Sequence, residues 1–226
     1  MRPLPALSLI ETRVLGVLYE KQRTVPDTYP LTLNALVSGC NQKTSRSPVI
    51  EAGDAQVQEA LDALKAASLV IESSGGRVTR YEHNLERVLH VPEQSAALLT
   101  ALMLRGPQTP GELRLATERL YRFADISSVE AFLEELAARE AGALVMQLPR
   151  LPGAREQRWA HLLSGRPGIE APVDSVASVD GASLDSDALR TRVATLEAEV
   201  SALKATLARV CGELGLTPSG GQQGQT

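Results

Sequence analysis

Residues 54–83 read DAQVQEALDALKAASLVIESSGGRVTRYEH, and the order of elements in this stretch decides the fold. From about Asp54, the residues Val57, Leu61 and Leu64 recur at helical spacing, which lays one apolar stripe along a helix. Leu69-Val70-Ile71-Glu72 then reads as a strand, Ser74-Gly75-Gly76 as a turn and Val78-Thr79-Arg80-Tyr81 as the returning strand. A helix feeding a two-stranded hairpin is the second half of a winged helix, so two more helices are expected before it.

Both can be read upstream. After Ser8, the apolar residues Leu9, Ile10, Val14, Leu15, Val17 and Leu18 repeat at helical spacing with Glu11, Arg13 and Glu20 between them, the pattern of one amphipathic helix of about 14 residues. A loop with Pro26 and Pro30 follows, and Thr32 can cap a short helix that carries Leu33, Leu36 and Val37 and ends near Gly39. The polar loop from Asn41 to Pro48 leads into the third helix.

The same order returns downstream. Residues from about Pro92 to Leu104 form a helix. Thr109-Pro110-Gly111-Glu112 is a capping box with proline in the first turn, and Ser127-Ser128-Val129-Glu130 reads as another. Leu144-Val145-Met146 and Gln157-Arg158-Trp159-Ala160 are the two strands, joined across a turn at Pro149–Gly153. Val57, Leu61 and Leu64 map onto Val129, Leu133 and Leu136 at a constant offset, and His83 and His161 close the two halves alike. The order of elements, more than the spacing, marks an internal repeat. The reading is mainly α with small β-hairpin wings: winged-helix domains at 8–90 and 91–165, a linker at 166–184, a coiled-coil helix at 185–215 and a tail at 216–226.

In the C-terminal helix, Leu189, Val193, Leu196, Val200, Leu203, Leu207, Val210 and Leu214 alternate spacings of four and three, an unbroken heptad seam. Val193 and Val200 at a, with Leu189, Leu196 and Leu203 at d, favour a parallel homodimer. In that orientation Arg192 faces Glu197 and Glu199 faces Lys204. The alternative is that this helix folds back onto the chain's own domains.

Composition narrows the function. The 226 residues are 43% hydrophobic, 22% charged and only 3% aromatic, with net charge −4, and no segment is basic. No run approaches a membrane span; with no signal-like N-terminus and only Cys40 and Cys211, a cytoplasmic setting is expected. His83, His90 and His161 lack partners at ligand spacing, and phosphate-loop and nucleophile-elbow motifs do not occur. We therefore expect neither an enzyme nor a cofactor, with Cys40 a buried structural thiol.

Winged helices commonly seat the third helix in the DNA major groove and lean the wing on phosphates. Here the third helices carry Glu59, Asp62, Glu130, Glu134 and Glu135, which phosphates would repel. The candidate nucleic-acid contacts are instead Asn41, Gln42, Lys43, Ser45 and Arg46 in the loop, Arg77 and Arg80 on the first wing, and Arg150, Arg155 and Arg158 on the second. A structural alternative exists for the loop: Asn41, Ser45 and Arg46 could hydrogen-bond the backbone of a long turn.

The strings Tyr29-Pro30-Leu31-Thr32-Leu33-Asn34-Ala35-Leu36, Cys40-Asn41-Gln42-Lys43-Thr44-Ser45-Arg46 and Leu104-Arg105-Gly106-Pro107-Gln108-Thr109-Pro110-Gly111-Glu112 resemble the bacterial YceH-like family of uncharacterised proteins. The resemblance covers about residues 8–165 and implies a tandem winged-helix fold, with no activity and no functional residues to carry over. The expected role is a DNA-binding or transcription-related regulator; the alternative is an adaptor whose acidic third helices dock a basic partner protein.

Overall fold

A computed structural model describes residues 5–73, 78–150 and 156–167. Helix α1 (Leu9–Thr24) starts at a capping box, in which Ser8 accepts from the Glu11 amide and Glu11 reaches back to the Ser8 amide. Helix α2 (Leu33–Cys40) is capped by Thr32, and α3 (Asp54–Ala66) begins at the expected residue. Strands β1 (Val70–Ser73) and β2 (Arg80–His83) pair antiparallel with Val70 opposite His83. A short helix α4 (Leu85–Leu89) then leads to α5 (Glu93–Arg105), α6 (Pro110–Ala116) and α7 (Ile126–Ala137). Strands β3 (Val145–Gln147) and β4 (Trp159–His161) form the second antiparallel hairpin. The chain is mainly helical with two small hairpins, consistent with a winged-helix-like mixed fold.

The hydrogen bonding repeats along with the element order. Leu31 exchanges two backbone hydrogen bonds with Tyr81, at 3.0 and 2.8 Å, just before the Thr32 cap. Gln108 does the same with Trp159, at 3.1 and 2.8 Å, just before the Thr109 cap. Each hairpin thus gains a one-residue third strand that also sets the start of its second helix. This element is too short to show in a periodicity.

Helices α1 and α5 form the middle of the molecule. Residues Thr12–Tyr19 of α1 and Ser95–Leu104 of α5 are all buried, because each helix packs against its own neighbours and against the other. A helix covered on every side no longer needs a polar outer face. Gly16 allows the approach: a Cβ there would lie 2.9 Å from Leu104 Cδ2. Gly39 does the same for α2, since its Cβ would fall 2.6 Å from Val17 Cγ1. One hydrophobic core runs through both halves, from Leu7 to Leu163, and residues Met1–Glu170 cluster as one compact unit.

Two local expectations are corrected. An amphipathic first helix turns its charged residues toward solvent, but Arg13 is fully buried and Glu20 is largely so. Helix α7 is capped by Asp125, which forms a box with Ser128, two residues ahead of the Ser127 box read from sequence. Among the described residues, no helix is long and apolar enough to cross a membrane. The linker, the heptad residues Leu189 to Leu214 and the tail lie outside the described residues, as do the turn glycines Gly75 and Gly76.

Candidate functional site

The loop after α2 is shaped from beneath by two buried guanidinium groups. Arg13 donates to the Cys40 carbonyl at 3.1 Å and to the Pro48 carbonyl at 2.7 Å, so one side chain holds both ends of the loop. Burial, and then the neighbouring Arg46 charge, lower its pKa from the usual arginine value. Arg46 is 6% exposed as a residue and its side chain is fully covered. Its guanidinium forks onto Glu20, at 3.3 Å to Oε1 and 2.6 Å to Oε2, and also donates to the Gly39 and Ser45 carbonyls and to Gln42 Oε1. Burial alone would raise the Glu20 pKa; the hydrogen bonds and charge of Arg46 outweigh it and hold the carboxyl below its ordinary value.

Asn41 closes the loop over Ala52, donating to its carbonyl and accepting from its amide, both at 2.8 Å. Asn41 and Arg46 therefore bond the backbone of the turn, while the Ser45 hydroxyl accepts from Arg105 at 3.1 Å. Ser45 sits in the left-handed region at φ 58, a conformation that only a few per cent of non-glycine residues adopt. Lys43 is the loop's exposed cation and, among the described residues, forms no salt bridge.

The wing arginines are also engaged. Arg80 donates to the Pro30 carbonyl at 2.6 Å, and Arg158 donates to the Pro107 carbonyl at 2.9 Å while pairing with Glu112 at 3.0 Å. These are matching positions in the two halves, so both arginines tie the returning strand to the residue that precedes the one-residue third strand. Arg150 is exposed. Arg77 and Arg155 lie outside the described residues.

Two further surfaces come from residues that sequence reading either missed or did not combine. On α7, Ile126, Glu130 and Glu134 are spaced by four and exposed, which puts them on one face. Ile126 is 47% exposed, and its Cδ1 lies 3.9 Å from where a Cβ on Gly111 would stand. One turn further along α6 is Leu115, 72% exposed beside a shallow groove that Pro107, Ala116, Glu112, Arg105 and Arg158 also line. On α3 the outer face shows Asp54, Glu59 and Asp62 without an exposed large apolar residue, and Lys65 is held by Asp62 and Glu72. The second surface is a recess between the loop and α5–α6, lined by Lys21, Arg105 and Arg119.

The residues that might have carried catalysis are built inward. Cys40 is buried, which pushes its thiol up to about 12. His83 hydrogen-bonds Gln22 at 2.7 Å through Nε2, and burial, then the Arg23 charge, depress it to about 4; burial depresses His161 to about 4 as well. Both therefore fold as neutral rings, while the unfolded chain takes up protons near pH 6.5. Their stabilisation is complete above pH 6.5 and is lost as pH falls through 4. We expect the thermal midpoint to drop between pH 6.5 and 5, at a cost of about 1–3 kcal/mol per histidine by pH 4. His161→Gln should flatten that slope; an unchanged slope would count against a buried neutral imidazole.

A family model described as "Protein of unknown function, DUF480" matches residues 7–154. A UPF0502 protein of Dechloromonas aromatica (strain RCB) is 66% identical over 203 residues, covering 90% of this chain and 95% of the relative. A UPF0502 protein of Delftia acidovorans is 57% identical over 217 residues, covering 95% of each.

Proposed function

Because the chain belongs to the DUF480 family, whose description assigns no activity, we propose its role from its own surfaces: a non-catalytic tandem winged-helix adaptor that docks a basic, amphipathic helix of a partner protein. The observation that carries this reading is the α6–α7 ledge. Leu115 and Ile126 offer apolar anchors to solvent, and Glu130 and Glu134 continue the Ile126 face with negative charge. A partner helix with leucines on one stripe and lysines or arginines beside it complements that pattern. The buried Arg46 and the carbonyl-bound Arg80 and Arg158 support the same reading, since they leave fewer cations for phosphates.

A fluorescence anisotropy titration with a labelled Leu/Lys amphipathic helical peptide tests it. Binding should saturate and should weaken about tenfold or more, or ~1.4 kcal/mol, in Glu130→Lys/Glu134→Lys and in Leu115→Lys. Asp62→Lys on α3 should bind as the parent does. Equal affinity for all of them would remove the ledge from the function.

A second reading, duplex DNA on the loop, is favoured by the exposed Lys43 next to the recess that carries Lys21, Arg105 and Arg119. Duplex binding at low salt that is lost in Lys43→Glu, with the peptide unbound, would establish it in place of the adaptor.

The adaptor is proposed to act in the cytoplasm as a parallel homodimer through the heptads of residues 185–215, which would present two ledges to one partner assembly. In sedimentation, the full chain should run at twice the chain mass and a chain ending at Glu170 at the single mass. Equal association states would refute the coiled coil.

A further inference from the structure

We propose that the recess between the 42–45 loop and helices α5–α6 binds a small phosphate-bearing anion. It has a volume of about 370 Å³, within the usual range for small-molecule sites. Its charge is unbalanced. Lys21 comes from the last turn of α1, Arg105 ends α5 and Arg119 follows α6, so three separate elements bring cations to one cavity. The one carboxylate on its wall, Glu20, is already forked onto the buried Arg46. Lys21 contacts Glu20 at 3.5 Å, and Arg119 forms no salt bridge among the described residues.

Placement near helix C-termini explains why Lys21 and Arg105 are tolerated there, since the helix dipole favours a cation at that end. It does not explain the convergence of all three. The Thr44 and Ser45 hydroxyls border the same space, and Arg105 already reaches across it to Ser45 Oγ at 3.1 Å. An anion arriving between Arg105 and Arg119 would accept charge-assisted hydrogen bonds from both. The lining is mainly polar, with Leu104 turned under against Gly16 and Leu120 half-buried at the edge, so charge rather than apolar contact would hold a ligand. The ligand is thus a small phosphate-bearing anion recognised by its charge. No residue of α7 lines this site, although Arg105 and Ala116 also line the groove beside Leu115.

The test is calorimetric titration of the full chain with AMP and with inorganic pyrophosphate, at constant ionic strength. AMP should bind saturably at about 1 mM or tighter, and pyrophosphate at least as tightly because it brings more charge to the three cations. Arg119→Gln should weaken AMP about tenfold or more, and Lys21→Gln should also weaken it. Arg122→Gln, an exposed arginine that does not line the recess, should leave binding unchanged. Arg119 is exposed, so an unaltered thermal midpoint without ligand will show that the variant folds. Absence of AMP binding at several millimolar, or AMP binding indifferent to Arg119→Gln, overturns the proposal. Displacement of AMP by duplex DNA at a lower phosphate concentration overturns the assignment to a small molecule.

Discussion

Arg46→Ala is expected to destabilise the folded chain by about 3–5 kcal/mol at neutral pH, the usual cost of breaking a buried ion pair by removing one partner. The side chain joins α2, the loop and α1: it donates to the Gly39 and Ser45 carbonyls, to Gln42 and to both oxygens of Glu20. Truncation leaves a largely buried carboxylate with only Lys21, at 3.5 Å, to offset its desolvation. The deficit should depend on pH in a stated direction. In the parent, Glu20 titrates below its ordinary value, so its contribution is complete above about 4.5 and is lost as pH falls through the lowered value. In the variant, burial without Arg46 favours the protonated acid. The gap between parent and variant in urea unfolding should therefore narrow from pH 7 to pH 3.5. A gap of constant size would mean that Arg46 acts by packing alone.

Arg13→Ala is expected to cost about as much, roughly 3–5 kcal/mol, by a different route. Arg13 has no carboxylate partner among the described residues, and its guanidinium is used on two backbone acceptors, the carbonyls of Cys40 and Pro48. Removing it opens a cavity among the buried residues of α1 and strands two acceptors. Arg13→Met refills much of the volume but restores neither hydrogen bond, so its loss should be intermediate, on the order of 2 kcal/mol. The two variants also differ locally. Because Arg13 spans the loop's two ends, amide exchange at residues 41–48 should rise in both, while α7 stays as protected as in the parent. If Met matched the parent, the hydrogen bonds would have no net value here.

The contrast between these arginines and the helices around them shows what the chain displays in one dimension. Ser8, Thr32 and Thr109 act within three residues of themselves, and all three cap where their local pattern places them. Both hairpins are legible because short apolar strand segments flanking Pro- or Gly-containing turns are a local signal too. The ends of α7 were harder, since two overlapping boxes, at Asp125 and Ser127, compete and only packing chooses between them. The contacts of Leu31 with Tyr81 and Gln108 with Trp159 span about 50 residues and leave no local trace. Arg13 and Arg46 look like surface residues because most arginines are. Arg13 is buried because α1 is packed by α2, α3 and α5, and Arg46 because the loop folds its guanidinium onto Glu20 of α1, both tertiary facts.

The acidity of α3 and α7 was readable from charge at helical spacing. The ledge needed the exposure of Leu115 and Ile126, which an amphipathic pattern alone would have assigned to the core. Lys21, Arg105 and Arg119 are far apart in the chain and meet only because α1 lies on α5. Arg80 and Arg158 illustrate the reverse: two wing cations suited to phosphates by sequence, each spent on a carbonyl at the matching place in its half.

The most direct measurement of the docking account is an amide chemical-shift map of the full chain titrated with the unlabelled Leu/Lys peptide. Shifts concentrated on α6 and the outer face of α7, around Leu115, Ile126, Glu130 and Glu134, with α3 little changed, are the predicted result. Shifts spread evenly over the acidic faces of α3 and α7, or centred on Lys43 and the loop, would contradict it.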